Sequence, residues 1–179
     1  GLIFQNWDVV DGFPDEEVVY YGLDFGYSND ETGVVKVCFR GDELFVEEVL
    51  YKKGLTNQDI GAELRNKGVT DNQLIIADSA EPKSIQELYR EGFSIKSAIK
   101  GSDSIRNGID ILKRYKIHVV RGSENLIREL KSYCWATDRA GTALNVPIDK
   151  LNHLIDPLRY VALYKNYVPG KRMVKVGTV

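Results

Sequence analysis

The sequence predicts a mixed α/β domain: three antiparallel strands, then strands alternating with helices, then a β-hairpin and a closing helix. Three observations predict it. Residues 18–51 hold three apolar segments rich in β-branched and aromatic residues, the signature of strands. From Thr56 onward, runs with helical spacing alternate with short continuous apolar runs, as expected where helices cover both faces of a sheet. The last run, Leu154, Leu158, Val161 and Ala162, falls on related faces at helical spacing.

The elements follow in order. Residues 1–17 read as an extended or irregular lead-in, because Gly12 and Pro14 interrupt regular structure. Val18–Phe25, Thr32–Arg40 and Glu43–Tyr51 are the three strands, and Gly41-Asp42 has hairpin chemistry. Thr56 and Asp59 have capping-box spacing ahead of Ile60 and Leu64, and Gly68 stops that helix. Gln73–Ala77 is a buried strand, and Pro82 opens a helix running to about Glu91. Phe93–Ile99 and Ile117–Val120 read as strands. Ser102–Tyr115 and Ser123–Leu130 read as helices, each serine placed to cap. Tyr133–Thr137 and Thr142–Val146 flank a four-residue turn. Pro157 restricts the start of the last helix, Leu154–Asn166, because proline is easily accepted only in a first turn. Right-handed crossovers place the later strands beside the first. The expected domain spans 18–167, followed by a loose tail at 168–179.

With 179 residues, 43% apolar and 28% charged, the chain fits one globular domain. No apolar stretch approaches the ~18 residues of a membrane span, and no signal peptide is visible. Cys38 and Cys134 are too few for a disulfide framework and lack metal-ligand spacing. The net charge of −2 does not point to nucleic acid, but its distribution is uneven. Residues 1–31 carry eight acids and no Lys or Arg, whereas residues 82–131 carry eleven basic residues against six acids. A basic middle around an acidic pocket suits a metal enzyme acting on a polyanion; solvated helix faces would give the same counts.

Three aspartates carry the functional signal. Asp24 in GLDFGYSND and Asp78 in LIIADSAEP each close a buried strand, and Asp156 in NHLIDPLRY opens the last helix. Each alone has an ordinary explanation, as a turn or helix cap. Together, converging carboxylates at strand ends supply the oxygen ligands that a hard divalent cation such as Mg²⁺ requires. His153, three residues before Asp156, is a candidate ligand, general base or orienting group, or else a histidine satisfied by a backbone carbonyl. His118 sits in an apolar strand and reads as a core or sheet-edge residue. Asp30, Glu81 and Asp103 are further acids near these motifs, each more simply a turn or helix-start residue. Lys83, Lys96, Lys100 and Arg106 follow Asp78 and are candidates to hold phosphates. No phosphate loop, zinc spacing or nucleophile elbow occurs.

These motifs resemble the nuclease domain of tailed-phage terminase large subunits, a ribonuclease H-like fold. The resemblance runs nearly end to end, through GLIFQNWDVVDGFP, YYGLDFGYSND, IIADSAEPKSI, YCWATDRAGTALNVPID and NHLIDPLRYVALY. It implies a ribonuclease H-like mixed sheet and a metal triad of Asp24, Asp78 and Asp156 with His153 as accessory. It further implies two Mg²⁺ or Mn²⁺ ions about 3.5–4 Å apart that clamp a phosphodiester. The implied substrate is concatemeric double-stranded DNA, cut with little sequence preference in the cytoplasm of an infected bacterial host. The implied partners are the terminase ATPase domain, the small terminase subunit and the portal. Two other readings share parts of the pattern: a junction-resolvase type of ribonuclease H-like nuclease, and an actin-like phosphate-binding ATPase fragment.

Overall fold

The structure, a computed structural model, describes residues 1–167; the tail expected at 168–179 lies outside the described residues. In chain order the elements are β1 (Trp7–Val10), β2 (Tyr20–Asp24), β3 (Thr32–Arg40), β4 (Glu43–Lys52), α1 (Asn57–Asn66), β5 (Leu74–Ala77) and α2 (Pro82–Arg90). They continue with β6 (Ile95–Ser97), α3 (Ser104–Leu112), β7 (Lys116–Val120), α4 (Glu124–Ser132), β8 (Trp135–Thr137), β9 (Ala143–Pro147) and α5 (Ile155–Asn166). Seven strands form one sheet in the order β1-β7-β4-β3-β2-β5-β6, and β8 and β9 form a separate hairpin. This is the expected mixed sheet: β2, β3 and β4 are antiparallel, while β5, β6 and β7 join in parallel.

Two expectations about the sheet are corrected. The later strands do not all add beside the first. β5 and β6 do, but β7 crosses to the other side and pairs with β4. Within the lead-in, Trp7–Val10 forms an edge strand parallel to β7. Four residues with one acid carry too little periodicity to be read as a strand; the exposed edge of β7 supplies the hydrogen bonds.

The sheet is covered on both faces. Ile60 and Leu64 of α1 and Leu88 of α2 pack with Tyr21, Leu23 and Ile75 on one side. Helices α3, α4 and α5 pack with Val35, Val37, Val46 and Val119 on the other. Because side chains alternate along a strand, one face of β2 belongs to each layer. Tyr21 and Leu23 enter the α1/α2 core, and Gly22 meets α5.

Helix starts explain how the layers lock. Thr56 and Asp59 form the expected capping box. The expected serine caps fail. No side chain caps α3, and Ser123 instead accepts a hydrogen bond from Glu48 N at 2.9 Å. The start of α4 is capped from β4: Glu48 Oε1 accepts from Asn125 N at 2.9 Å and Leu126 N at 3.0 Å. The start of α5 is capped from α4: Glu129 Oε1 accepts from Leu154 N and Ile155 N, both at 2.9 Å. A carboxylate against unsatisfied helical amides gains hydrogen bonds and dipole attraction together. Pro157 occupies the first turn of α5, as expected.

The start of α5 reaches the sheet through two glycines. A Cβ on Gly22 would overlap the Pro157 carbonyl, and one on Gly33 would overlap the His153 carbonyl. Gly33→Ala should therefore destabilise by about 2–3 kcal/mol in urea titration, with backbone on both sides unable to yield. Gly12→Ala, with open space around it, should stay within about 0.5 kcal/mol; equal stabilities would disprove the close-approach argument.

Glu129 is fully buried, and burial foremost pushes its carboxyl up to about 7, against the pull of the two amides. The folded state thus holds this proton more tightly than the unfolded chain does, so its contribution is fully present below about pH 4.5 and is lost as pH rises through 7. Between pH 5 and 8 the wild type should lose up to ~3 kcal/mol relative to Glu129→Gln, which keeps an acceptor without the titration. Urea midpoints that run parallel across that range would refute this.

Candidate active site

The structure brings Asp24, Asp78 and Asp156 to one end of the sheet. β2 and β5 are parallel neighbours, and Asp78 N donates to Leu23 O at 3.1 Å, which sets Asp78 beside Asp24. Asp24 pairs in register with Gly33, over which the His153 carbonyl lies. That close approach carries the first turn of α5, with Asp156, onto the same point. Tyr160, one turn later, donates its hydroxyl to Asp24 Oδ1 at 3.4 Å.

Electrostatics report the crowding. Burial, then the charges of Asp156 and Asp78, push the Asp24 carboxyl up to about 8. Asp156 is also raised, by burial first, although Arg159 beside it pulls the other way. Arg159 Nη2 lies 3.3 Å from Asp156 Oδ1. Three carboxylates with one nearby arginine leave an excess of negative charge that burial makes costly. Asp78 also closes its own turn, accepting from Ala80 N at 2.9 Å, so the cap explanation is partly true as well.

His153 faces a second group. Its Nε2 lies 3.3 Å from Glu31 Oε2, and Asp30, Glu31 and His153 present ligand atoms all within 4.8 Å of one another. Asp24, Asp30, Asp149, His153 and Asp156 line one cavity of about 530 Å³. The loops around it are held in unusual backbone conformations. Among the described residues, the non-glycines with positive φ are Tyr27 (55°) and Leu151 (50°), one in each loop bordering the cavity. Tyr27 is fixed by donating to Glu81 Oε2 at 2.9 Å, by a short contact with Ser84, and by Gly54 N on its carbonyl at 2.7 Å. Backbone strain of this kind persists only where the surroundings over-determine it. The donor set, carboxylate oxygens with one imidazole, fits a hard divalent cation.

The remaining candidates separate. Glu81 is engaged by Tyr27, and Asp103 stands at the start of α3. Lys83 is exposed on α2 and Lys100 in the loop before α3, while Lys96 on β6 donates to the Tyr164 hydroxyl at 3.4 Å. Arg106 alone of these four lines a cavity that also touches Asp156. His118 lies between Asp8 Oδ1 (2.6 Å from Nδ1) and Glu43 Oε1 (2.8 Å from Nε2), joining β1, β7 and β4 away from the aspartates. Sequence reasoning missed Glu31, Asp149, Arg159 and Tyr160. For the last two a signal existed: they stand three and four residues after Asp156, on its helical face.

Comparison with known proteins places the sequence and the fold in a family. The sequence model of the family described as "Terminase RNAseH like domain" matches residues 24–163. The chain is 33% identical over 171 residues to the terminase large subunit of Bacillus phage SPP1, covering 88% of this chain and 40% of that protein. It is 32% identical over 126 residues to the PBSX phage terminase large subunit of Bacillus subtilis (strain 168), covering 69% and 29%. The chain thus spans less than half the length of either relative. The crystal structure of the SPP1 large terminase nuclease domain with bound Mn superimposes with a TM-score of 0.79 at 27% identity, covering 93% of this chain and all of that one. No helix among the described residues is long and apolar enough to cross a membrane. The chain belongs to the terminase ribonuclease H-like domain family and has the fold of a large-subunit nuclease domain.

Proposed function

We propose that this domain is a divalent-metal-dependent endonuclease that hydrolyses phosphodiester bonds of concatemeric double-stranded DNA with little sequence specificity. The observation that carries this reading is the convergence of Asp24, Asp78 and Asp156, in which burial of Asp24 and the charges of Asp156 and Asp78 push the Asp24 carboxyl up to about 8. Such a cluster is stabilised by binding cations. The SPP1 domain's bound Mn supports the same chemistry here.

Asp24, Asp78 and Asp156 would hold one ion, and His153 with Glu31 and Asp30 would border a second. Bound divalent cations lower the pKa of an attacking water and neutralise charge on the phosphate and departing 3′ oxygen. The chain's own contribution is positional. The α5 docking fixes Asp156 and His153, and the strained loops border the cavity that Asp30 and Leu151 line. His153, beside Glu31, would serve as the accessory ligand on that side. In the whole terminase, the partners proposed are the ATPase domain, the small subunit and the portal, with action in the host cytoplasm.

Asp24→Asn and Asp78→Asn should each lower plasmid cleavage in Mn²⁺ by on the order of 10²–10³-fold or more. Asp78→Asn should keep or raise thermal stability in metal-free buffer, because one repelling charge is gone, whereas Asp24→Asn should change it little at neutral pH, where that carboxyl is already largely protonated. Cleavage by the wild type should vanish in excess EDTA. Full activity in either variant, or in EDTA, would end the metal-nuclease reading.

A further inference from the structure

A second cavity, of about 510 Å³, adjoins the aspartate cluster on its other side, between the start of α3, the β9 strand of the hairpin and α5. Asp149, Asn152 and Asp156 line both cavities, so the two are neighbours that share a wall. Arg159 lines its inner wall. This residue is only 6% exposed, one of its nitrogens pairs with Asp156, and its Nε–H has no partner. A buried donor without an acceptor is costly. Arg106 stands at the rim, exposed, in the first turn of α3. That helix starts with no side-chain cap, although Ser104 N already donates to the Gly101 carbonyl at 3.1 Å. Exposed Ile105 and Val146 supply an apolar flank.

The fold has made room for this arrangement. A Cβ on Gly108, in the middle of α3, would strike Cγ and Cδ of Arg159. Glycine inside a helix costs about 1 kcal/mol relative to alanine; here it lets the arginine stem cross the helix. Asp103 and Asp149 also line the cavity. Asp149 is shared with the carboxylate side, where cations would offset it, and Asp103 sits at the helix start.

We propose that this cavity is a phosphate subsite for the DNA strand as it leaves the aspartate cluster. Arg159 and Arg106 take one backbone phosphate that is not cut, and Ile105 and Val146 pack against the adjoining deoxyribose. The proposal rests on the nuclease reading and says where the substrate runs. It also explains why only Arg106, among the basic candidates after Asp78, has a part in it.

The test is binding of a fluorescent 20-base-pair duplex to the protein in EDTA, followed by anisotropy across a salt series. Arg106→Ala should weaken binding roughly 5- to 10-fold and lower the slope of log K against log salt by about 0.9. Arg106→Lys should restore the slope, since the charge returns. Lys67→Ala, exposed at the end of α1 in the opposite layer, should leave affinity and slope unchanged. An unchanged slope in Arg106→Ala, an equal loss in Lys67→Ala, or no duplex binding by the parent protein overturns the subsite. Plasmid cleavage by the parent protein in Mn²⁺ is a separate readout: cleavage with no Arg106 effect removes the subsite alone, and no cleavage removes the nuclease reading.

Discussion

Carboxylates that repel one another stay together in a fold only if the backbone beneath them is held by something stronger. Here that constraint is the docking of the first turn of α5 on β2 and β3. Gly22 and Gly33 remove the side chains that would keep the helix off the sheet, so the Pro157 and His153 carbonyls lie directly on the strand backbones. From the other side Glu129 caps the same turn with two hydrogen bonds. The apolar stripe of α5, Leu158, Val161 and Ala162, anchors the rest of the helix in the core. Burial of each such side chain contributes roughly 1.5–3 kcal/mol, enough in sum to oppose the repulsion concentrated at one end.

The same docking decides the electrostatics. Removing Asp24 and Asp156 from water raises both carboxyls, and the charge of Asp156 raises Asp24 further. Arg159 offsets part of this, and it reaches Asp156 only because both stand on one face of α5. A site left slightly under-neutralised has a definite consequence. It attracts cations, whereas a fully paired salt-bridge network would have no reason to. The chain leaves that deficit in the cavity where Asp30, Glu31 and His153 present further ligand atoms.

Much of this was legible in the sequence, for identifiable reasons. Asp24 and Asp78 stand out because apolar runs before them fix both the strand and its end. The capping box at Thr56 and the first-turn position of Pro157 follow from local geometry alone. What was not legible depends on distant contacts. Ser123 looked like a cap, yet Glu48 of β4 takes the role. Trp7–Val10 pairs only because β7 offers an edge. Glu31 and Glu129 sit among ordinary surface-like residues in sequence and acquire their roles from what lands on them. Gly33 and Gly108 read as unremarkable glycines until the His153 carbonyl and the Arg159 stem are seen against them.

The order of assembly follows from the same contacts. Asp24 and Asp78 are joined by β2–β5 pairing, made within the first half of the chain. Asp156 and His153 arrive only when the last helix closes over that pair, and closing so long a loop is slow compared with local pairing. Glu129 on α4 caps that turn in the finished fold. The complete carboxylate cluster is therefore a property of the finished fold. An intermediate lacking α5 would carry two of the three aspartates, more exposed and farther from their repelling partner, and would bind cations weakly. Late docking of one helix thus couples completion of the core to completion of the site.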